Sequence, residues 1–193
     1  MEALQLEKRR YSREEYFALL KESVYKLEYL DGEIRMMSGG SIAHNDIIDN
    51  VFGNLWSKRN SCKVKNSENA VFIETLNSYF FPDLTVTCNK PTYEEGGIAK
   101  LTNPELIIEV LSESTADYDR TDKFTAYRQL ESFKEYILID SRRMRVDTFY
   151  RNTNQYWRIG SYYEPEHEVE VRTLGLQLPL SIIYDDVVFP VKD

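Results

Sequence analysis

Two carboxylates stand in predicted strands where a charge is costly. Asp83 follows Pro82 within an aromatic and β-branched stretch, and Glu109 lies in the nearly all-apolar run LIIEVL. A buried carboxylate needs a cation, a hydrogen-bond donor or a metal, because otherwise it is strongly destabilising or becomes protonated. On adjacent strands the pair would form an oxygen site of the kind that Mg²⁺ or Mn²⁺ prefers. Taken singly, Asp83 also fits a strand-end aspartate and Glu109 an ion-paired glutamate.

A cation follows Glu109 on the next predicted helix. Asp119, Lys123 and Tyr127 are spaced four apart, so they share one helical face. We expect Lys123 to reach back toward the carboxylates, where its ammonium would orient a water molecule and stabilise charge on a phosphate. The alternative is an ordinary Asp–Lys pair beside a packing tyrosine, which contributes roughly 0.2–0.5 kcal/mol.

The first sixty residues predict two helices and a hairpin. The capping box Ser12-x-x-Glu15 predicts a short helix over 12–21. The dipeptide Asp31-Gly32 predicts a two-residue hairpin turn between YKLEYL and EIRMM. Apolar residues at helical spacing predict a second helix over 41–59. His44 lies on its apolar stripe, which favours a core histidine.

The rest of the chain predicts strands around one further helix. Strand-like runs occur at 62–66, 70–75, 79–88 and 105–111, with Pro82 marking an edge, a bulge or a strand end in the third. Residues 89–103 read as a polar loop. Ser114 or Thr115 is expected to cap a helix ending near Leu130, a buried strand follows at 135–140, and the C-terminal part predicts an antiparallel β meander.

Composition bounds the class of protein. With 193 residues, no repeat and no linker, we expect one domain over 1–193. The net charge of −8 excludes a strongly basic nucleic-acid binder, so any such binding is expected to be weak, local or metal-dependent. Cys62 and Cys88 make neither a disulfide framework nor a zinc pattern. A charged N-terminus and short apolar runs predict a cytoplasmic protein without membrane association.

The order FPD, ELIIEVLSEST, YDRTDKFTAYRQL and EYILID resembles the Uma2 family of restriction endonucleases, and YKLEYLDGEIRMMSGGSIAHNDI is similar to it too. The resemblance covers about 24–150. It implies an α/β restriction-endonuclease-like fold, a mixed β-sheet flanked by helices, with a β-rich C-terminal extension, and a PD-(D/E)xK phosphodiesterase site. Asp83 matches the PD aspartate and Glu109 the acidic member. Leu111 stands where the general motif has lysine, and Lys123 matches the lysine that Uma2-like sequences take from the following helix.

This resemblance implies a metal-dependent endonuclease that hydrolyses phosphodiester bonds, with DNA as the expected nucleic acid. Asp83 and Glu109, with the backbone carbonyl of Val110, would bind Mg²⁺ or Mn²⁺, and Lys123 would position the attacking water. Leu111 and the negative net charge favour the alternative, a catalytically silent dimeric DNA-associated or interaction protein that keeps the fold. A homodimer would use the C-terminal aromatic residues, which core packing explains equally well: Tyr156, Trp157, Tyr162 and Tyr163.

Overall fold

The computed structural model describes residues 6–37 and 39–190. Its helices are α1 (Arg13–Glu22), α2 (Ile42–Lys58), α3 (Ala116–Tyr118), α4 (Phe124–Tyr127) and α5 (Leu180–Ile183), with a 3₁₀ turn at Glu74–Leu76 and a π-helical turn at Asp119–Lys123 between α3 and α4. The strands are β1 (Leu27–Leu30), β2 (Glu33–Met36), β3 (Lys63–Asn66), β4 (Ala70–Ile73), β5 (Ser78–Phe80), β6 (Leu84–Thr87), β7 (Tyr93–Glu94), β8 (Lys100–Leu101), β9 (Leu106–Leu111), β10 (Glu135–Asp140), β11 (Val146–Arg151), β12 (Trp157–Tyr162), β13 (Glu168–Val171) and β14 (Leu176–Pro179).

The strands form two six-stranded sheets and one hairpin. The N-terminal sheet has the order β2-β1-β5-β4-β8-β7, the central sheet has the order β12-β11-β10-β9-β6-β3, and β13 pairs with β14 alone. Both large sheets are mixed, since β4 and β8 are parallel in the first and β9 and β10 in the second. With helices on the central sheet and strands at the C-terminus, the fold confirms the predicted mixed α/β class.

Local sequence signals in the N-terminal part form as predicted. The Ser12 hydroxyl accepts the N–H of Glu15, and the Glu15 carboxylate accepts the N–H of Ser12, which completes the capping box of α1. Asp31 and Gly32 have φ values of +44° and +96°. Positive φ at both central residues matches the twist of a two-residue hairpin, so β1 and β2 pair around this turn.

The strand-like run 79–88 forms two strands, and of the edge, bulge or strand end predicted at Pro82 the structure has the strand end. β5 joins the N-terminal sheet and β6 the central sheet, and Pro82 lies in the segment that crosses between them. Proline has no backbone N–H for a ladder, which favours a strand end here. Asp83 therefore stands directly before β6, at the point where the two sheets meet.

Two further predictions about strands were wrong. The loop 89–103 contains the β7–β8 hairpin, which β8 attaches to the N-terminal sheet through β4. The C-terminal meander stops after β12, because β13 pairs with β14 and not with β12. The ring of His167 accepts the backbone N–H groups of Tyr163 and Glu164 and holds the chain in a turn between β12 and β13.

The central sheet is covered on both faces. One face packs against α2, α5 and the β13–β14 hairpin, and the other against the helical segment 116–130 with the aromatic side chains around it. Strands β9 and β10 are buried along their whole length. Burial on both faces explains their nearly continuous apolar sequences. It also means that Glu109, only 2% exposed, requires specific partners.

The register that places Lys63 opposite Thr87 brings Cys62 and Cys88 together, and they form a disulfide with their Cα atoms 4.0 Å apart. The sequence prediction of no disulfide framework was therefore wrong, because this pairing depends on the β3–β6 register.

Within 6–37 and 39–190, no helix has the length and apolarity needed to cross a membrane.

Candidate active site

The predicted site residues converge on one cavity of about 670 Å³. The β1–β2 hairpin, the first turns of α2 and the segment from Ser112 to Lys123 contribute to its wall. Asp83, Glu109, Val110 and Lys123 all line it. The fold therefore brings together residues that come from three separate parts of the chain.

The two carboxylates are held in place by the backbone. The β6–β9 register pairs Leu84 with Ile108, so Asp83 lies beside Glu109. The N–H of Asp83 donates to Glu109 Oε2 at 3.3 Å, and the N–H of Val110 donates to Asp83 Oδ2 at 2.7 Å. These hydrogen bonds orient both groups before any ligand binds.

Lys123 lies among three carboxylates. Its Nζ atom is 3.2 Å from Glu109 Oε1, 3.1 Å from Asp119 Oδ1 and 3.0 Å from Glu28 Oε1. Burial lowers the pKa of Lys123, but these carboxylates outweigh burial and raise the pKa well above its ordinary value. The ammonium is therefore charged and acts as a donor.

Glu109 is the central group of this network. The hydroxyl of Tyr127 donates to its Oε1 atom at 2.9 Å, beside the contact from Lys123. Burial raises the pKa of Glu109 well above its ordinary value, and the neighbouring carboxylates add to this rise while Lys123 opposes it. A bound cation would lower the pKa of Glu109 again, because a nearby positive charge favours the charged form of a carboxyl group.

Glu28 belongs to the cluster and was missed by the sequence reasoning. It is 3% exposed, and its Oε1 atom accepts the N–H of Phe81 at 3.2 Å besides contacting Lys123. A signal was available, because Glu28 is a charge inside the strand-like run LEYL, the same feature that pointed to Glu109. What the pattern could not show is that β1 lies against the 119–123 turn.

His44 was predicted to be a core histidine, and the structure places it at the cavity instead. Its Nε2 atom lies 3.5 Å from Asp83 Oδ2, and its backbone N–H donates to the Ser41 hydroxyl that caps α2. Burial lowers the pKa of His44, but the contact with Asp83 outweighs burial and raises it. Although Ala43 is also buried, the side chains of α2 that join the core cluster of the central sheet begin at Ile47, and His44 in the first turn borders the cavity.

The sequence predicted that Ser114 or Thr115 caps the helix that begins at α3, and this prediction was wrong. Within the part of the chain that the structure describes, no side-chain hydrogen bond caps this helix at Thr115. The Ser112 hydroxyl instead lies 3.1 Å from that of Ser114 and 3.0 Å from that of Thr115, and all three residues line the cavity. They add polar groups to its wall.

The chemistry of the cluster fits a hard divalent cation. Four buried carboxyl groups line the cavity: those of Glu28, Asp83, Glu109 and Asp119. Among the described residues, Lys123 and His44 are the basic side chains within 4.0 Å of them. No donor in residues 6–37 and 39–190 forms a hydrogen bond with Asp119 Oδ1, although this atom lies 3.1 Å from Lys123 Nζ. In the described part of the chain, no three His, Cys, Asp or Glu side chains are arranged to enclose a metal ion. A cation would keep several water ligands here, as Mg²⁺ characteristically does.

The fold and the cavity define a mixed α/β protein with an acidic, lysine-containing site where two sheets meet. A crystal structure from Anabaena variabilis ATCC 29413, described as a "putative nuclease belonging to DUF820", is similar to this chain with a TM-score of 0.73. The match covers 91% of this chain and 98% of that chain at 19% identity, so it shows a shared fold.

The sequence comparisons define the family. The model of the Uma2 family, described as "Putative restriction endonuclease", matches residues 13–181, and the chain belongs to this family. Two relatives come from Synechocystis sp. (strain ATCC 27184 / PCC 6803 / Kazusa). The uncharacterized protein slr1290 is 32% identical, with 92% of this chain and 93% of the relative covered, and sll1609 is 29% identical, with 81% and 89% covered. The resemblance predicted from sequence is confirmed, and the family supports a nuclease.

Proposed function

We propose that the protein is a metal-dependent endonuclease that hydrolyses phosphodiester bonds in DNA. The observation that carries this proposal is the convergence of Asp83, Glu109 and Lys123 on one cavity. Two carboxylates oriented by backbone hydrogen bonds and a charged ammonium are the groups that a PD-(D/E)xK-type phosphodiesterase needs. Membership in the Uma2 family supports the same activity.

Asp83 and Glu109, with the carbonyl of Val110, are the proposed ligands of Mg²⁺ or Mn²⁺. Such an ion, when bound, polarises a phosphoryl oxygen and lowers the pKa of a bound water. The excess of buried carboxyl groups supports cation binding, because it leaves negative charge that Lys123 and His44 do not balance. Glu28 and Asp119 contribute to this excess, and each lies within 3.1 Å of the Lys123 ammonium.

Lys123 is proposed to orient the attacking water and to stabilise charge on the phosphate. Its raised pKa supports the role of donor and argues against that of a neutral base. Tyr127 is a positioning residue, since its hydroxyl bonds the same Glu109 oxygen that contacts Lys123. Leu111 is fully buried, so the place of the usual motif lysine faces the apolar core.

The second candidate is a catalytically silent DNA-associated or interaction protein. It is favoured by the three carboxylates around Lys123, which an ammonium with a purely structural role would also have. A homodimer remains a prediction. Of the aromatic residues proposed for it, Trp157 and Tyr162 pack against the core, whereas Tyr156 and Tyr163 are exposed. The cytoplasmic location also remains a prediction.

A cleavage assay separates the two candidates. Purified protein is incubated with Mg²⁺ or Mn²⁺ and single- and double-stranded DNA and RNA. We expect cleavage of DNA by the wild type, loss of cleavage in Asp83→Asn, and wild-type cleavage in the control Asp49→Asn, which changes an exposed aspartate of α2. If the wild type cleaves none of these substrates with either ion, the nuclease proposal is wrong and the silent alternative is supported.

A further inference from the structure

We propose that Arg35 and Tyr118 form a second phosphate-binding position on the cavity wall, which holds a phosphate that flanks the scissile one. This inference rests on the proposed nuclease function and names where the substrate strand lies. Both residues line the cavity, and neither belongs to the predicted catalytic set.

The hairpin register places Arg35 next to the catalytic cluster. Glu28 of β1 pairs with Arg35 of β2, and residues directly opposite each other in an antiparallel pair project from the same face. Glu28 reaches Lys123 at 3.0 Å and is buried, whereas Arg35 is exposed. Arg35 therefore lies on the same wall as the cluster, at its solvent side.

Arg35 is a cation with unused donors. Its guanidinium carbon lies 4.0 Å from the ring centroid of Tyr118, and among residues 6–37 and 39–190 no carboxylate forms an ion pair with it. Lys26, the other basic residue of this wall, is already bound to Glu68 at 2.8 Å. A guanidinium presents its N–H groups as a planar fork that matches two oxygens of a phosphate.

Tyr118 supplies a second unused donor. Its hydroxyl is buried and has no hydrogen-bond partner in the described part of the chain. Burial raises the pKa of Tyr118 above its ordinary value, so the hydroxyl keeps its proton and can donate. Buried polar groups normally have partners, so this hydroxyl, next to a guanidinium that forms no ion pair with the described residues, is suited to a ligand that accepts hydrogen bonds.

A phosphate of a nucleic-acid strand fits these groups best. The chain carries a net charge of −8, and the cavity is rich in carboxylates, so an anionic strand needs local cations to approach. Arg35 provides one beside the proposed scissile position. Free phosphate could use the same two donors, but only a strand would join this position to the Lys123 cluster.

The test compares Arg35→Gln and Tyr118→Phe with the control Arg158→Gln, which changes an exposed arginine of β12 that forms no ion pair among the described residues. Steady-state cleavage of the best wild-type oligonucleotide is measured with Mg²⁺ or Mn²⁺, and binding is measured in Ca²⁺ over a range of salt. Inorganic phosphate is added as a competitor. Melting temperatures confirm that each variant folds.

We expect Arg35→Gln to raise KM and the dissociation constant about 10- to 100-fold, with kcat nearly unchanged, because it removes a charged contact made equally in ground and transition states. The magnitude of the slope of the logarithm of the binding constant against the logarithm of the salt concentration should fall by about one. Tyr118→Phe should weaken binding about 2- to 10-fold. Arg158→Gln should behave as the wild type.

Three outcomes would overturn the inference. If Arg35→Gln binds and cleaves as the wild type does, the flanking position is refuted and the nuclease function stands. If only inhibition by inorganic phosphate changes, Arg35 belongs to a free-phosphate site. If the wild type neither binds nor cleaves any oligonucleotide, the proposed function and this inference fall together.

Discussion

Replacing Lys123 by methionine tests the proposed catalytic cluster most directly. Methionine keeps most of the buried side-chain volume and removes the charged ammonium together with its hydrogen-bond donors. The ammonium contacts Glu28, Glu109 and Asp119 at 3.0–3.2 Å, and all four side chains are nearly inaccessible to solvent. The substitution therefore leaves three buried carboxylates without the cation that they share.

The expected loss of stability is large and depends on pH. Removing one partner of a buried ion pair destabilises a protein by about 3–5 kcal/mol. In the wild type the charge of Lys123 opposes the rise that burial causes in the pKa of Glu109. Without this charge, in Lys123→Met, the pKa of Glu109 should rise further. An acid whose pKa is higher in the folded than in the unfolded state loses stability as the pH rises through the folded value. The variant should therefore be less destabilised at pH 5 than at pH 8.

Urea unfolding in EDTA at both pH values measures this effect, and cleavage assays measure the catalytic role proposed for Lys123. The variant should keep the carboxylates proposed to bind Mg²⁺ and lose about 10²- to 10⁴-fold in kcat. If Lys123→Met is as stable as the wild type at pH 8, the electrostatic reasoning is refuted. Undiminished cleavage in folded Lys123→Met would show that another residue positions the water.

Four further predictions concern the proposed metal site, Leu111, the disulfide and Asp140. Mg²⁺ or Mn²⁺ at a hundred times its dissociation constant should stabilise the wild type by about 2.7 kcal/mol, and thermal melts unaffected by either ion would contradict the proposed metal site. Leu111→Lys should lower the melting temperature without raising kcat, because it puts a charge into a fully buried position; restored cleavage in an inactive wild type would instead indicate a relic site. Reduction of the Cys62–Cys88 disulfide by dithiothreitol should lower the free energy of unfolding by about 3–4 kcal/mol, as loop closure over 26 residues predicts, and Cys62→Ser should abolish this response. Burial raises the pKa of Asp140, but the hydrogen bonds from Arg142 outweigh burial and hold the pKa below its ordinary value. The free energy of unfolding should therefore fall as the pH drops below about 4. If Asp140→Asn loses as much stability as the wild type over this pH range, the prediction is contradicted.

Local signals in the sequence determined the elements that depend on near neighbours. The capping box at Ser12 and the Asp31-Gly32 turn formed as predicted, since their partners lie within three residues. Strands β9 and β10 could be predicted because burial on both faces leaves a continuous apolar run. The same run exposed Glu109 as a residue in need of partners, and helical spacing pointed to Lys123 on the following segment.

Tertiary structure alone decided which distant residues meet. Glu28 reaches Lys123 only because β1 lies against the 119–123 turn, and His44 leaves the core only because the first turn of α2 borders the cavity. The crossing at Pro82 between two sheets and the pairing of Cys62 with Cys88 likewise depend on strand order and register. Register results from the packing of many side chains at once, so no single stretch of sequence encodes these contacts.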